Sequence, residues 1–261
     1  MECPRCDYHI HTKYLGCANG TMEVAAVVAE CEKLGVTSLA ITDHLNSPDR
    51  LADHAPILDD IRALETDVEV FFGAELNFTG AGEGFVFSDE IKAEHGFGFG
   101  IGGIHAAYLD DYSEEKLVSV QHEHHLRTCR DPLVDVLVHP YWFWKGEFDK
   151  RGWPWFTSMK AVPESCAREL GAAAKETGTA IEINTAAIFV NPQYDEAFVA
   201  EYVDYLAIIA EEGAVFSVGS DAHDIGQLAT IEKGWKVVEK LGLSAERVWS
   251  PKCEPVMEGA A

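Results

Sequence analysis

Hydrophobic and polar positions follow two alternating patterns along the whole chain. Seven short apolar runs predict β-strands, and stretches with an apolar residue every three or four positions predict helices between them. The predicted strands are 7–11, 37–43, 68–77, 97–104, 134–138, 180–184 and 215–219. The predicted helices are 24–34, 50–65, 113–129, 162–177, 195–212 and 225–241. This regular alternation predicts a parallel α/β sheet, and so many units in one chain favour closure into a barrel.

The first predicted helix carries recognisable signals at both of its ends. Its apolar positions run from Val24 to Leu34 at three- and four-residue spacing. Thr21 is the predicted N-cap, and Gly35 is predicted to end the helix.

Length and composition fit a single domain. The 261 residues are 47% hydrophobic, which suffices for one large core, and α/β barrels often have about this length. We therefore expect one domain over 1–261, with its core at 7–241 and a C-terminal extension at 242–261. The formal net charge of −24 argues against nucleic acid or a membrane as a partner unless bound cations reverse the local field.

The sequence predicts a cytoplasmic protein with reduced thiols. No apolar run reaches the roughly 18 residues of a membrane span, and the N-terminus lacks the basic and apolar regions of a signal peptide. Seven cysteines form an odd set in a chain too large to require disulfides. Cys3 and Cys6 form a C-x-x-C pair, but no second pair follows, so a zinc knuckle is not favoured.

Histidines and acids gather where the predicted strands end. These polar residues are His9, His11, Asp43, His44, Glu75, His105, His139, Glu182, Asn184, Asp221 and His223. Residues i and i+2 of a strand point to one face, so His9 and His11 present two rings together, as does the Asp-x-His pair of the last strand. Burying so many imidazoles and carboxylates without a cation would be costly. The pattern predicts a centre for zinc, manganese or iron at the barrel mouth.

The other histidines do not lie at strand ends. His122, His124 and His125 fall in one predicted helix, where a solvated face is the favoured interpretation. His54 and His95 are interpreted as structural residues.

The order of these motifs resembles the PHP superfamily, named for polymerase and histidinol phosphatase. The segments HIH, TDH, an isolated Glu, GGIH, VHP and SDAH follow one another between residues 7 and 224. The resemblance implies a distorted seven-stranded (βα)7 TIM-like barrel with a two- or three-metal centre, and many members of the superfamily hydrolyse phosphate esters.

The resemblance also implies a set of ligands. It assigns His9, His11, Glu75 and Asp221 to one metal, Glu75 as a bridge with His105 and His139 to a second, and His44 with His223 to a third. The predicted catalytic residues are Glu75, His44, His223 and Asp43. Asp43 is expected to orient His44 or a neighbouring ligand by accepting a ring N–H; its alternative role is that of a helix N-cap.

One segment departs from the superfamily pattern. Members usually carry a further His or Asp shortly after the HxH pair, whereas this chain reads GCANGT. The position falls on Cys17 or on Asn19, depending on the direction of counting. A Cys thiolate can bind zinc, so the third metal is expected to be weak, absent or thiolate-bound.

The predicted reaction is hydrolysis of a small phosphorylated metabolite by a metal-bound hydroxide. Two cations roughly 3.5–4 Å apart can lower the pKa of a bridging water and hold the oxygens of a phosphoryl group. Lys13, Arg50 and Lys145 are the predicted phosphate contacts, although a solvated surface charge is the favoured interpretation of Lys13 and Arg50. Two alternatives stay open: a metal-dependent hydrolase of an amide, lactone or phosphotriester, and a non-catalytic metal-binding PHP domain.

Two long connections, 79–95 and 141–160, leave strand ends on the side where such barrels build active sites. The aromatic segment 141–156 is the predicted substrate lid, with Gly146 and Gly152 as its hinges. An oligomer contact or a cap on the barrel are the alternatives for this segment.

Overall fold

Parallel strands form a nearly closed barrel in the computed structural model, which describes residues 4–79 and 85–256. The strands are β1 (Cys6–Ile10), β2 (Ser38–Ile41), β3 (His44–Leu45), β4 (Glu69–Asn77), β5 (Phe99–Gly103), β6 (Val136–Leu137), β7 (Ala180–Asn184) and β8 (Phe216–Gly219). In these parts of the chain, seven strands pair in the order β1-β2-β4-β5-β6-β7-β8, and β3 adds a short parallel pair to β4. The predicted distorted seven-stranded barrel is confirmed.

Helices cover the outside of the barrel. They are α1 (Val24–Lys33), α2 (Ala55–Arg62), α3 (Asp89–His95), α4 (Glu114–Arg130), α5 (Lys145–Arg151), α6 (Glu164–Thr177), α7 (Glu196–Glu212) and α8 (Ile231–Lys240). Each predicted helix has a counterpart, but 3-10 helices at Pro48–His54 and Ile225–Thr230 replace the first turns of α2 and α8. No helix in the described ranges is long and apolar enough to cross a bilayer.

The two connections predicted as loops contain short helices. Each of α3 and α5 has seven residues, too few for apolar periodicity to identify. Local capping explains α3, because the Ser88 hydroxyl accepts the N–H of Ile91 and Gly96 ends the helix with a φ of 75°.

Thr21 does not cap α1, contrary to the sequence prediction. The helix begins after Glu23, whose side chain makes no capping hydrogen bond. The Thr21 hydroxyl instead donates to Asn19 Oδ1 at 2.5 Å and accepts the N–H of Ile225 at 3.2 Å. Thr21 therefore connects the segment after β1 to the segment after β8. Gly35 follows the helix with a φ of 78°, as expected for a helix end.

The histidines of α4 are placed differently from the prediction. His124 and His125 are buried, because they lie seven and eight residues after Leu117 on the face that packs against the barrel. The Nε2 atom of His125 accepts the N–H of Tyr141 at 3.4 Å. Only His122 of the three is partly exposed, with Glu169 at 3.0 Å from its ring.

The part of the C-terminal extension around Trp249 covers the amino-terminal end of the strands. Trp249 is 5% exposed and donates its backbone N–H to Phe216 O at 2.7 Å, at the beginning of β8. Its indole packs against the rings of Tyr8 and Phe99. Apolar side chains therefore fill this end of the barrel, and the polar groups lie at the carboxyl end.

The barrel closes irregularly between β8 and β1. The N–H of Asp221 donates to His9 O at 2.7 Å, and the N–H of His11 donates to Ala222 O at 3.2 Å. A single bridge between Ile10 and Ala222 replaces a regular ladder. This junction brings the first and last strands together at their carboxyl ends, which places Asp221 beside His9 and His11.

Asp7 is a buried carboxyl group at this junction, and it makes stability depend on pH. It accepts the N–H of Ser220 at 2.8 Å, and burial raises its pKa from 3.8 to about 7. Between about pH 4 and about pH 7 the native state therefore retains a proton that the unfolded chain has lost, so this group lowers stability as the pH rises.

We expect Asp7→Asn to remove this slope, because the amide oxygen still accepts the Ser220 N–H without a charge. At about 1.4 kcal/mol per pKa unit, the stability of the variant relative to the parent should rise by a few kcal/mol between acid and mildly alkaline pH. Urea unfolding of both metal-free proteins at about pH 5 and about pH 8 measures this difference. An equal difference at the two pH values would contradict the raised pKa.

Candidate metal centre

The ligands predicted from sequence converge at the carboxyl ends of the strands. His9 lies in β1, His44 in β3 and Glu75 in β4, while the other candidates follow β1, β5, β6 and β8 by one to four residues. His139 and Asp221 have positive φ values of 32° and 55°. Such values are uncommon for residues other than glycine and cost roughly 1–3 kcal/mol, and they occur preferentially at functional sites.

The first predicted group brings four ligand atoms close to one another. The Nε2 atoms of His9 and His11 are 3.1 Å apart. Asp221 Oδ1 lies 3.6 and 3.1 Å from these two nitrogens, and Glu75 Oε2 lies 3.5 and 3.4 Å from them. Tetrahedral zinc with bonds of about 2.0–2.1 Å would separate its ligand atoms by about 3.3–3.4 Å. His9, His11 and Asp221 therefore offer three ligand atoms with about the spacing of a metal site, and Glu75 Oε2 lies at a similar distance from the two histidine nitrogens.

Glu75 connects this group to the second one. Its other oxygen, Oε1, lies 3.0 Å from His105 Nε2 and 3.1 Å from His139 Nε2. The carboxylate is 1% exposed, so its two oxygens face the two groups and not solvent. His44 also approaches Glu75, with its Nδ1 atom 2.6 Å from Oε2. This arrangement fits a carboxylate that bridges two cations.

The electrostatics of the cluster favour an ionised Glu75 and a neutral His11, whereas around His9 and His44 burial is outweighed by the neighbouring carboxylates, which raise the pKa of both rings. Burial alone would raise the pKa of Glu75, but the imidazoles of His44, His105 and His9 hold it well below its usual value. Burial, and next the neighbouring His44, lower the pKa of His11 to about 3, so its ring is neutral. Ionised carboxylates and neutral imidazoles are metal ligands. Among the described residues, the contact between Glu75 Oε2 and His44 Nδ1 is close but lacks hydrogen-bond geometry, so a cation would satisfy this oxygen.

Glu182 is a buried residue of β7 that had no role assigned from sequence. Its Oε1 atom lies 2.7 Å from His9 Nδ1, and its Oε2 atom accepts the N–H of His139 at 2.8 Å. The Asn184 amide donates to Glu182 Oε2 at 2.9 Å and to Asp221 Oδ2 at 3.2 Å. A carboxylate that accepts the Nδ1–H of His9 directs its Nε2 lone pair at the ligand group. The sequence signal that could have identified Glu182 is an acid at an inward-facing position of the apolar run AIEIN.

We expect Glu182→Gln to weaken metal binding by about 10–100-fold, the usual cost of losing a group that orients a ligand. A glutamine offers one acceptor oxygen, while the donors of His9 and His139 require one each. Metal retained after dialysis against a weak chelator, measured by elemental analysis, checks this expectation. The matched control is Glu176→Gln, on the exposed side of α6. Equal retention in both variants would show that Glu182 does not orient a ligand.

Asp43 does not orient His44 through its ring. Both carboxylate oxygens accept the N–H of Thr12, at 3.0 and 3.1 Å, and Oδ2 also accepts the Thr12 hydroxyl at 2.9 Å. Asp43 therefore fixes the main chain directly after His11. It is not an N-cap either, because the helix that follows begins after Ser47. The predicted contact of Asp43 with a ring N–H was therefore wrong. The end of β2 lies opposite the end of β1, so Asp43 reaches Thr12 instead.

Of the two positions that the sequence left open, Cys17 reaches the cluster. One ligand atom from each of four residues lies within 4.8 Å of the others: His11, Cys17, His44 and His223. Cys17 Sγ is 3.8 Å from His11 Nδ1. The Asn19 side chain is directed elsewhere, because its amide donates to Asp224 Oδ2 at 2.6 Å.

The three predicted phosphate contacts pair with neighbouring acids. Lys13 Nζ lies 2.8 Å from Glu23, Arg50 Nε lies 2.9 Å from Asp53, and Lys145 contacts Asp149. All three are partly exposed in a chain with 44 acidic and 20 basic residues. Their predicted contact with phosphate stays a prediction.

The aromatic segment 141–156 borders the second ligand group. The Trp142 ring lies 5.7 Å from the His105 ring and 5.2 Å from the His139 ring, between centroids. Gly152 ends α5 with a φ of 66°, whereas Gly146 lies inside α5 beneath the ring of Trp144. Gly146 is therefore not placed as a free hinge, and the lid itself stays a prediction.

Comparison with known proteins agrees with this geometry. The PHP domain family model matches residues 7–186, which confirms the resemblance seen in the motifs. A probable histidinol-phosphatase of Thermotoga maritima is 26% identical over 223 residues, 84% of each chain. One of Deinococcus radiodurans is 25% identical over 247 residues, 85% of this chain and 88% of the relative.

A solved structure shares the fold. The histidinol phosphate phosphatase of Lactococcus lactis subsp. lactis, complexed with zinc, L-histidinol and phosphate, matches with a TM-score of 0.62 and 16% identity. The match covers 93% of this chain and 95% of that chain. This likeness shows that the fold is shared over nearly the whole chain.

Proposed function

Since the chain belongs to the PHP domain family, we propose that it is a metal-dependent phosphoesterase that hydrolyses the monoester of a small phosphorylated metabolite. The observation that carries the proposal is Glu75, a buried carboxylate whose two oxygens face two separate ligand groups. The names of the two relatives favour phosphate over an amide or lactone. L-histidinol phosphate is accordingly the first substrate that we propose.

The proposed centre holds two or three divalent cations of zinc, manganese or iron. When bound, such cations lower the pKa of water and neutralise charge on phosphoryl oxygens. They also explain how a chain with a net charge of −24 attracts an anionic substrate, because the local field at the site would be positive. A cytoplasmic location is part of the same proposal.

The side chains of this protein hold the two ligand groups in fixed positions relative to each other. Glu75 fixes the two groups relative to each other, and Glu182 fixes the tautomer of His9. Asp43 holds the main chain beside His11 through Thr12. Trp142 forms the rim beside the second group, with its ring next to the two ligand imidazoles.

Release of inorganic phosphate tests the proposal. The protein, loaded with zinc or manganese, is incubated with L-histidinol phosphate, sugar phosphates and nucleotides, and with an amide, a lactone and a phosphotriester as controls. Release from at least one monoester, and dependence on the metal, would support a phosphoesterase. Turnover of a control substrate alone would favour another hydrolase. Full metal occupancy without any turnover would favour a metal-binding domain.

A further inference from the structure

We propose that Cys17 is the thiolate ligand of a third cation, which His44 and His223 also bind, and that this ligand set selects a zinc-like metal. The inference deepens the proposed function and rests on it, because the site adjoins the first ligand group through His11. Its basis is the cluster of ligand atoms within 4.8 Å of one another.

The tautomer of His223 leaves its Nε2 atom available to bind a cation. Its Nδ1 atom lies 2.9 Å from the backbone carbonyl oxygen of Asp221. A carbonyl only accepts hydrogen bonds, so Nδ1 carries the proton and Nε2 keeps its lone pair. A backbone carbonyl that holds one ring nitrogen in this way is a usual partner of a metal-binding histidine.

His44 and His11 restrict the site from the other side. His44 Nδ1 faces Glu75 at 2.6 Å, so Nε2 is the nitrogen that remains for a further cation. His11 is already committed through Nε2 to the first group, and its Nδ1 edge faces Cys17 Sγ at 3.8 Å. The His11 ring also stacks on the His223 ring with centroids 4.2 Å apart. Cys17 is an exposed residue, and its sulfur lies beside these rings.

Hydrogen bonds hold the Cys17 segment against the His223 segment. The backbone N–H of Asn19 donates to His223 O at 3.0 Å, and its side chain binds Asp224. Thr21 accepts the N–H of Ile225 one turn further on. These contacts explain why the segment reads GCANGT: Asn19 joins the two loops, and Cys17 supplies the ligand.

The chemistry of the donors sets the metal preference. Sulfur and imidazole donors favour zinc or cobalt, whereas manganese and magnesium prefer oxygen. As the metal–sulfur bond forms, the Cys17 thiol releases its proton to solvent, so no oxidant or reductant is required. An Asp or His at this position would lack the sulfur and its spectroscopic signature.

Cobalt titration of the metal-free protein tests the proposal. We expect a near-ultraviolet sulfur-to-cobalt charge-transfer band that saturates with one cobalt beyond the first two. Cys17→Ser should lose this band. Its affinity for the last zinc should fall by more than the ~10–100-fold loss typical of an orienting residue. Cys17→Asp should regain a third metal without the band. The matched control, Cys166→Ser in α6, should keep it.

Two results would overturn the inference: a band that persists in Cys17→Ser, or its absence from the parent protein when cobalt is present in excess of three per chain. Phosphate release from the same samples separates the two proposals. A band without phosphatase activity would remove the proposed function and leave Cys17 as a ligand, whereas activity without a band would do the opposite.

Discussion

Glu75→Gln is expected to reduce phosphatase turnover by a factor on the order of 10³ or more, comparable to or larger than the loss of one transition-state hydrogen bond. The amide has one acceptor oxygen, so it can serve only one of the two ligand groups that the carboxylate faces at 3.0–3.5 Å. Its NH2 group would also face the nitrogen ligands of the other group, where the carboxylate oxygen would have bound a cation. Measurement of kcat/KM at saturating metal, together with metal content per chain, checks both effects.

The control for this variant lies on the same strand. Glu69→Gln changes an exposed residue at the beginning of β4, far along the strand from the cluster, and should leave turnover and metal content unchanged. If Glu75→Gln kept nearly the parent rate with two metals bound, Glu75 would not be a bridge. If it lost activity but kept both metals, its role would lie in the reaction and not in holding the centre.

Most ligands of the cluster were predictable because each one lies at the end of its own strand in the sequence. In a parallel barrel, every strand ends on the same side, so a histidine or acid at a strand end must lie at the rim wherever the strand stands in the sequence. His105 and His139 are 34 positions apart in the sequence, yet both approach Glu75 Oε1 within 3.1 Å. Apolar runs located these strand ends to within a few residues, and β7 was predicted with the observed bounds.

The contacts between segments were not predictable in the same way. Asp43 binds Thr12 because two neighbouring strands end opposite each other, and a single-strand pattern contains no information about that register. The choice between Cys17 and Asn19 likewise depended on the segment after β8, where Asp224 binds Asn19. Glu182 had a visible signal, an inward acid in an apolar strand, but its partner His9 is 173 positions away.

Backbone strain adds a constraint that the sequence pattern does not carry. His139 and Asp221 hold positive φ values directly after β6 and β8, and each contributes a candidate ligand. Neither residue is glycine, so the surrounding hydrogen bonds must maintain the conformation. The N–H of His139 donates to Glu182, and the N–H of Asp221 donates to His9 O. The same groups that orient the rings thus also hold the strained turns, which couples the folding of the rim to the geometry of the site.

Removal of the metals should abolish turnover and lower the melting temperature by about 20 °C. A site that is saturated at a thousandfold excess over its Kd contributes about 4 kcal/mol, so two sites contribute about 8 kcal/mol. For a chain of this size each kcal/mol corresponds to about 2–4 °C. The effect is expected to be large because the proposed cations would link β1, β4 and β8, and the junction between β8 and β1 lacks a regular ladder.

Thermal unfolding followed by circular dichroism, before and after chelation, measures this change, and readdition of zinc or manganese should restore both stability and turnover. Glu75→Gln serves as the comparison: with one shared ligand lost, its melting temperature should respond to chelation by roughly half as much as that of the parent. A parent protein that melts at the same temperature with and without chelator would mean that the imidazoles and carboxylates stabilise one another without cations. In that case the ion pairs around Glu75 would be the structural purpose of the cluster.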